Sequence, residues 1–425
     1  MTELKPNDFV SLTNGSKAKV IKELGRGGQG IVYLVELAGQ KMALKWYINP
    51  PKKEFYKNLQ ENITDGAPSE AFLWPEYLTE RQKGSYGYVM KLRPQGYYEF
   101  GQYLLAKVQF KSFEAITNAA MMICEGFKDL HLKGLSYQDL NDGNFFINPE
   151  TGDVLICDND NVFPQGGISG IMGKARYMAP EVVCGKATPD KYTDRFSLAV
   201  VLFMLFFGNH PLEGSRVLAC PCMTEKFEKK FYGEEPIFIF DPKKAENRPV
   251  RGVHNNVLRK WPIYPESLRN AFIKDFSEDA LKNQQLRTIE ADWQRIIQKL
   301  RDSLLRCPHC GDETFAEAAT ANCMCCGKPL NIAGTLRFAN NRDIMLTVGS
   351  RVYVDLDNNP DIEVVSVSGD KYPVQLRNLT ANKWTVETPS GKLRAIDPNG
   401  MFPVKAGLKV SIIATNKTTH QSELI

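Results

Sequence analysis

Eight residues near the N-terminus, Gly25-Arg26-Gly27-Gly28-Gln29-Gly30-Ile31-Val32, constrain the fold more than any other stretch of the chain. The glycines let backbone N–H groups approach phosphate oxygens with no Cβ in the way. The runs on either side, residues 17–24 and 31–37, read as strands. A glycine loop between two strands is not the strand-to-helix turn of a dinucleotide-binding fold. By itself the pattern fits a tight hairpin turn equally well.

A lysine decides between these readings. Ala43-Leu44-Lys45 lies on the next strand-like run, with an apolar residue two positions before the lysine. This is the V-A-I-K arrangement, which makes Lys45 a candidate contact to the α- and β-phosphates of a nucleotide. A lone strand lysine would be only a solvated charge. Residues 52–64 contain few breakers and predict a helix, ended by Asp65-Gly66-Ala67-Pro68. Mid-helix Glu61, in preference to Glu54, is the expected ion-pair partner of Lys45. A further strand over residues 86–92 completes a small antiparallel sheet.

From residue 113 the period changes. Ile116, Ala119, Ala120, Ile123, Phe127 and Leu130 recur at three and four, and helical patterns dominate as far as residue 305. Residues 196–207 are apolar all round, as expected of a helix at the centre of a lobe. Residues 214–264 lack clear periodicity and read as an irregular insertion.

Within this region Tyr137-Gln138-Asp139-Leu140-Asn141-Asp142-Gly143-Asn144 sets an aspartate five residues before an asparagine, followed by Phe145-Phe146-Ile147. Asp139 is placed to accept a hydroxyl proton and Asn144 to ligate Mg²⁺. Val154-Leu155-Ile156-Cys157 then leads into Asp158, the second Mg²⁺ candidate. Met178-Ala179-Pro180-Glu181, Asp194-Arg195-Phe196-Ser197-Leu198 and Arg287-Thr288 follow in order.

On this series, residues 15–305 resemble a eukaryotic-type protein kinase. The resemblance implies a bilobal α+β fold with ATP between the lobes, against Gly25, Gly27, Gly28, Gly30, Val32, Ala43, Lys45, Met90, Leu92 and Phe146, with Glu61 on Lys45. It implies a Glu181–Arg287 pair, and an Asp194 that accepts catalytic-loop N–H groups. More narrowly, Gly66-Ala67-Pro68-Ser69, Phe72-Leu73-Trp74-Pro75 and Gly87-Tyr88-Val89-Met90 resemble bacterial kinases of tellurite-resistance-like clusters. That likeness implies protein substrates, with a von Willebrand A-type protein and a phosphatase as partners.

The chain departs from the family pattern at four places. His-Arg-Asp is Tyr137-Gln138-Asp139, which removes the arginine that reads a phosphorylated activation segment. Asp-Phe-Gly is Asp158-Asn159-Asp160, which adds a carboxylate near the metals. The lysine two residues after the catalytic aspartate is Asn141, while Lys174 stands where the family has a threonine. Lys174 is therefore the candidate source of the missing positive charge. Two readings follow: an active serine/threonine kinase, or a nucleotide-binding pseudokinase scaffold that recruits partners.

Cys307-Pro308-His309-Cys310 and Cys323-Met324-Cys325-Cys326 form two C-x₂-C knuckles separated by 12 residues. Cys307, Cys310, Cys323 and Cys326 are the expected ligands of a structural Zn²⁺, with His309 and Cys325 as alternates. After residue 331 short alternating runs divided by Asn, Pro, Gly and Asp turns predict a small all-β sandwich-like domain. Leu376-Arg377-Asn378-Leu379, Trp384 and Gly391 give it a resemblance to forkhead-associated domains. The expected divisions are 1–92, 93–305, 306–331 and 332–425.

Composition narrows the class. Hydrophobic content of 43% with 24% charged residues is that of a globular chain. A net charge of +4 gives no footprint for nucleic acid or an acidic membrane. The N-terminus has no secretory pattern and the longest apolar run is too short to span a bilayer. Ten cysteines without a signal sequence favour thiols and metal ligands over disulfides, and a cytoplasmic location.

Overall fold

The glycine loop closes a hairpin between β2 (Lys17–Arg26) and β3 (Gly30–Leu37), with the Gly27 N–H bonded to the Gly30 carbonyl at 2.9 Å. The computed structural model describes residues 3–49, 53–82, 84–167 and 173–425. With β1 (Phe9–Ser11), β4 (Gln40–Tyr47), β5 (Pro75–Leu78) and β6 (Gly87–Lys91), the hairpin builds one sheet in the order β1-β2-β3-β4-β6-β5. All its pairings are antiparallel. β1 and β5 are too short to reveal alternation in the sequence. Gly30 has a packing role besides the turn, since a Cβ there would sit 2.4 Å from the Trp46 carbonyl on β4.

Helix α1 (Lys53–Asp65) packs Phe55 and Leu59 into a cluster with Tyr47, Tyr86 and Tyr88 of the sheet. Its buried asparagines, Asn58 and Asn62, both donate to the Val162 carbonyl, at 2.8 and 2.9 Å. The helix is thereby fastened to a turn from the second lobe.

The second lobe is built on α2 (Phe113–Leu132), α3 (Lys191–Phe207) and α4 (Glu290–Asp302). Ser112 caps α2 by accepting from the Ala115 N–H, and Asp190 and Thr193 form a capping box on α3. α3 is buried without a break from Phe196 to its end, as the all-round apolar run over residues 196–207 requires. One continuous core joins Phe127, Phe203 and Trp293 from the three helices. Residues 214–264 are no detached insertion: Phe238, Ile239, Val257 and Tyr264 belong to this core, and Phe240 stacks on Trp261 at 3.9 Å. Among the described residues no helix is long and apolar enough to cross a membrane.

A hairpin of Leu304–Arg306 with Glu313–Phe315 follows α4 directly, so the strand crosses the boundary expected at residue 305. Phe315 lies in the helical-lobe core, with its ring 5.1 Å from Phe113. The Glu313 carboxylate accepts from the Phe113 and Glu114 N–H groups at the start of α2. Beyond it, a six-stranded and a four-stranded sheet enclose one core that includes Leu336, Val364, Leu376, Trp384 and Val410. Asn378 is structural there, donating to the Asn382 carbonyl at 2.8 Å. This unit is clamped to α4: Arg342 holds Asp302 at 2.6 Å, and Arg301 donates to the Asp357 carbonyl at 2.8 Å.

Candidate active site

Strand β4 places Ala43 opposite Met90 and Lys45 opposite Tyr88 on β6, so the cleft under the glycine loop has an apolar back and one buried cation. A Cβ at Gly25, Gly27 or Gly28 would meet nothing within 4 Å, so these glycines leave the loop face open to a ligand. Leu92 is half-buried just beyond β6. Across the cleft Phe146 lies in a strand of the second lobe under the Arg93 guanidinium, at 3.8 Å from the ring centroid.

Lys45 does not meet Glu61. The Glu61 side chain points to solvent and pairs with Lys57 at 3.2 Å, one helical turn away. The inner face of α1 carries Phe55, Asn58, Leu59 and Asn62, which turns position 61 outward. In its place the Lys45 ammonium contacts Asp160 at 2.9 and 3.1 Å, Asp158 at 3.4 Å and the Gln29 amide oxygen at 3.3 Å. Burial alone would favour the neutral amine; the two carboxylates outweigh it and keep Lys45 charged. Asp160 and Gln29 are the residues that the motif reading left without a role at Lys45.

The catalytic-loop candidates are held from behind. Asp194, at the start of α3, accepts the Tyr137 N–H at 2.6 Å and the Gln138 N–H at 3.1 Å, as the resemblance implied. Tyr137 is fully buried and its hydroxyl donates to the Cys157 carbonyl. Gln138 takes a left-handed φ of 68° and its amide donates to the Gly167 carbonyl at 2.8 Å. The family pair is present too, with Arg287 and Glu181 in a bidentate contact at 2.7 and 2.8 Å.

Asp139 faces the cleft with Asn141 3.4 Å from one carboxylate oxygen and Asn161 3.5 Å from the other. Burial, and then the charge of Asp158, push its carboxyl up to about 6, against the opposing effects of Asn141 and Lys174. Asn144 uses its amide nitrogen on the Asp139 carbonyl, at 2.7 Å, and on the Tyr137 hydroxyl, at 3.1 Å. Its amide oxygen is the atom left for a cation. Asp158 sits in a left-handed conformation, φ 55°, that keeps its half-exposed carboxylate in the cleft. An amide oxygen and a carboxylate are hard donors that suit Mg²⁺. Lys174 reaches the Asn141 amide oxygen at 3.1 Å and Asp142 at 3.3 Å, and so touches the catalytic loop two and three residues after Asp139. Ser169, one of two hydroxyls between Asp158 and Glu181, lies outside the described residues.

A second donor set lies at and beyond the hairpin that follows α4. The sulfurs of Cys307, Cys310, Cys323 and Cys326 are all within 4.8 Å of one another, with the 307–326 and 310–323 pairs at 3.7 Å. The edge of a tetrahedron with metal–sulfur bonds of about 2.3 Å is about 3.8 Å, so the set fits Zn²⁺. The two knuckles are built alike. In each, the first cysteine donates its N–H to the residue five positions on and accepts from a glycine of positive φ, Gly311 or Gly327. Backbone N–H groups of His309 and Cys325 also point at Cys307 and Cys323 sulfurs, at 3.4 and 3.3 Å.

Comparison with known proteins agrees with the cleft. Residues 18–243 match the protein kinase domain. The chain is 29% identical over 209 residues to mouse protein kinase C delta type, covering 45% of this chain and 29% of that protein. It is 26% identical over 232 residues to the serine/threonine-protein kinase Pkn1 of Myxococcus xanthus, covering 47% of this chain and 30% of the relative. A shorter match, 28% over 109 residues, links it to a probable serine/threonine-protein kinase, PknB, of Corynebacterium glutamicum, with 24% of this chain and 17% of the relative covered. The chain spans less than a third of the length of these relatives.

Proposed function

The chain belongs to the protein kinase family, and on that premise we propose that it phosphorylates serine or threonine hydroxyls of protein substrates from ATP. The observation that carries this reading is the convergence of Lys45, Asp139, Asn144 and Asp158 on one cleft. ATP with Mg²⁺ supplies the phosphoryl group and neutralises its oxygens when bound. Lys45 would meet the phosphates, and Asn144 and Asp158 would hold the cation. Asp139 orients the acceptor hydroxyl and takes its proton as the new oxygen–phosphorus bond forms and the bond to the ADP oxygen breaks. A carboxyl at about 6 is ionised at neutral pH yet basic enough for that proton. Lys174 stands for the cation missing at Asn141.

The serine/threonine preference is supported by the bacterial relatives, and the four-thiolate knuckles support a structural zinc in a reducing, cytoplasmic setting. Partnership with a von Willebrand A-type protein and a phosphatase belongs to the same proposal, on the motif likeness alone. Incorporation of labelled phosphate from ATP into a mixture of basic and acidic proteins tests the reading, with Asp158→Ala as control. Nucleotide binding without transfer by the wild type would favour the scaffold.

A further inference from the structure

In the wider family the cleft lysine is fixed by a glutamate on the helix that α1 corresponds to, and among the described residues Lys45 has no such contact. We propose that Asp160 is the positioning residue for Lys45, so that the lysine is fixed by the turn that follows Asp158 and not by α1.

Both Asp160 oxygens contact the Lys45 ammonium, at 2.9 and 3.1 Å, and the Tyr47 hydroxyl donates to one of them at 2.5 Å. Lys45 and Tyr47 are two apart on β4 and share a face of the strand. Asp160 is 0% exposed, and the side chain of Lys45 only 6%. A fully buried carboxylate engaged in this way has no face left for the cleft, which separates its role from that of half-exposed Asp158. The helix offers no competitor. Both Glu54 and Glu61 are exposed, while the inward Asn58 and Asn62 bind the Val162 carbonyl, two residues past Asp160. The helix is thus fastened to the turn by neutral hydrogen bonds, and the charge pairing runs from β4 to the turn. A buried ammonium held bidentately in this way is preorganised for phosphate.

This inference rests on the kinase reading, and its test separates the two. The test measures kcat, KM for ATP, half-saturating Mg²⁺ and calorimetric MgATP binding for wild type, Asp160→Asn and Glu61→Gln. Asp160→Asn should lower kcat about ten-fold or more and weaken MgATP binding, with half-saturating Mg²⁺ unchanged. Glu61→Gln should stay within about two-fold of wild type on every measure. Should Asp160→Asn fail to melt cooperatively, Tyr47→Phe keeps the ring against Phe55, Tyr86 and Tyr88 and removes only the hydroxyl. Loss of that one hydrogen bond should lower kcat and MgATP affinity about five-fold. Wild-type kcat and affinity in the folded Asp160 variant, or in Tyr47→Phe where it is needed, would overturn the assignment. So would a Glu61→Gln loss as large as the Asp160 one, or a shifted Mg²⁺ requirement in Asp160→Asn. A wild type that transfers no phosphate would instead defeat the kinase reading, and MgATP binding would still decide between Asp160 and Glu61.

Discussion

The Nε2 atom of His131 lies 3.2 Å from Asp194, the carboxylate that holds the Tyr137 and Gln138 N–H groups. The other ring nitrogen is 2.9 Å from Glu290, so one buried imidazole bridges α3 to α4 behind the catalytic loop. Burial alone would lower its pKa; the hydrogen bonds to Asp194 and Glu290 outweigh that and push it up to about 9. An unfolded histidine titrates near 6.5, so the bridge contributes fully below that pH and loses its contribution as pH rises to about 9. A shift of this size is worth at most about 3.5 kcal/mol. The difference in unfolding free energy between wild type and His131→Asn should therefore shrink from pH 6 to pH 9.5. A difference independent of pH would assign His131 to packing alone.

Lys174 is expected to act in the transition state. It meets the Asn141 amide oxygen at 3.1 Å, which is where a lysine at 141 would begin. Lys174→Met should reduce kcat about 10²-fold with KM for ATP little changed, as for loss of an electrostatic transition-state contact. Adding Asn141→Lys should restore part of the loss. Wild-type turnover in Lys174→Met, or no recovery in the double variant, would reject the compensation and leave the kinase assignment standing.

The chain's order of motifs made most of the cleft legible, because Lys45, Asp139, Asn144 and Asp158 sit at positions where local sequence and chemistry agree. The four long strands of the first sheet and α2 were also readable from period, and α3 from its all-round apolar run. Glu61 was not, because the inner face of α1 is half asparagine and its two buried apolar residues, Phe55 and Leu59, define a weak helical phase. Asp160 was visible only as an extra carboxylate, since its partner is 115 positions away and only the tertiary fold brings them together. Residues 214–264 hid their core role for a similar reason: Phe238 and Trp261 bury aromatics from irregular backbone, which leaves no periodic trace.

Activation should not need a phosphorylated segment. Gln138 already ties the segment by its bond to the Gly167 carbonyl, and an amide does not grip a phosphate as a guanidinium does. Ser169→Ala should retain activity within about three-fold, whereas a loss beyond about ten-fold would contradict the argument. Gln138→Ala removes the tether together with the bond to the Ser136 hydroxyl and should cost about five-fold or more in kcat, each hydrogen bond being worth about 1 kcal/mol.

Metal removal should reach further than the knuckles. The hairpin's own core is small, with Leu305, Cys307, Ala316, Cys323 and Leu330 at its centre, so its order depends on the four thiolates being bound. Yet that hairpin supplies Phe315 to the helical-lobe core and the Glu313 carboxylate to the first N–H groups of α2. Releasing a buried Phe costs about 3–5 kcal/mol where no other side chain fills the space, and losing an anionic cap about 0.5–2 kcal/mol. Elemental analysis of protein purified without chelator should find one zinc per chain, and its absence would remove the site. Chelation should then lower the melting temperature of the helical lobe by about 5 °C or more, while ATP binding, whose residues the hairpin does not supply, survives at temperatures below the transition. Phe315→Ala should reproduce much of that drop with zinc still bound. A helical lobe that melts at the same temperature with and without metal would show that Glu313 and Phe315 hold their places unaided.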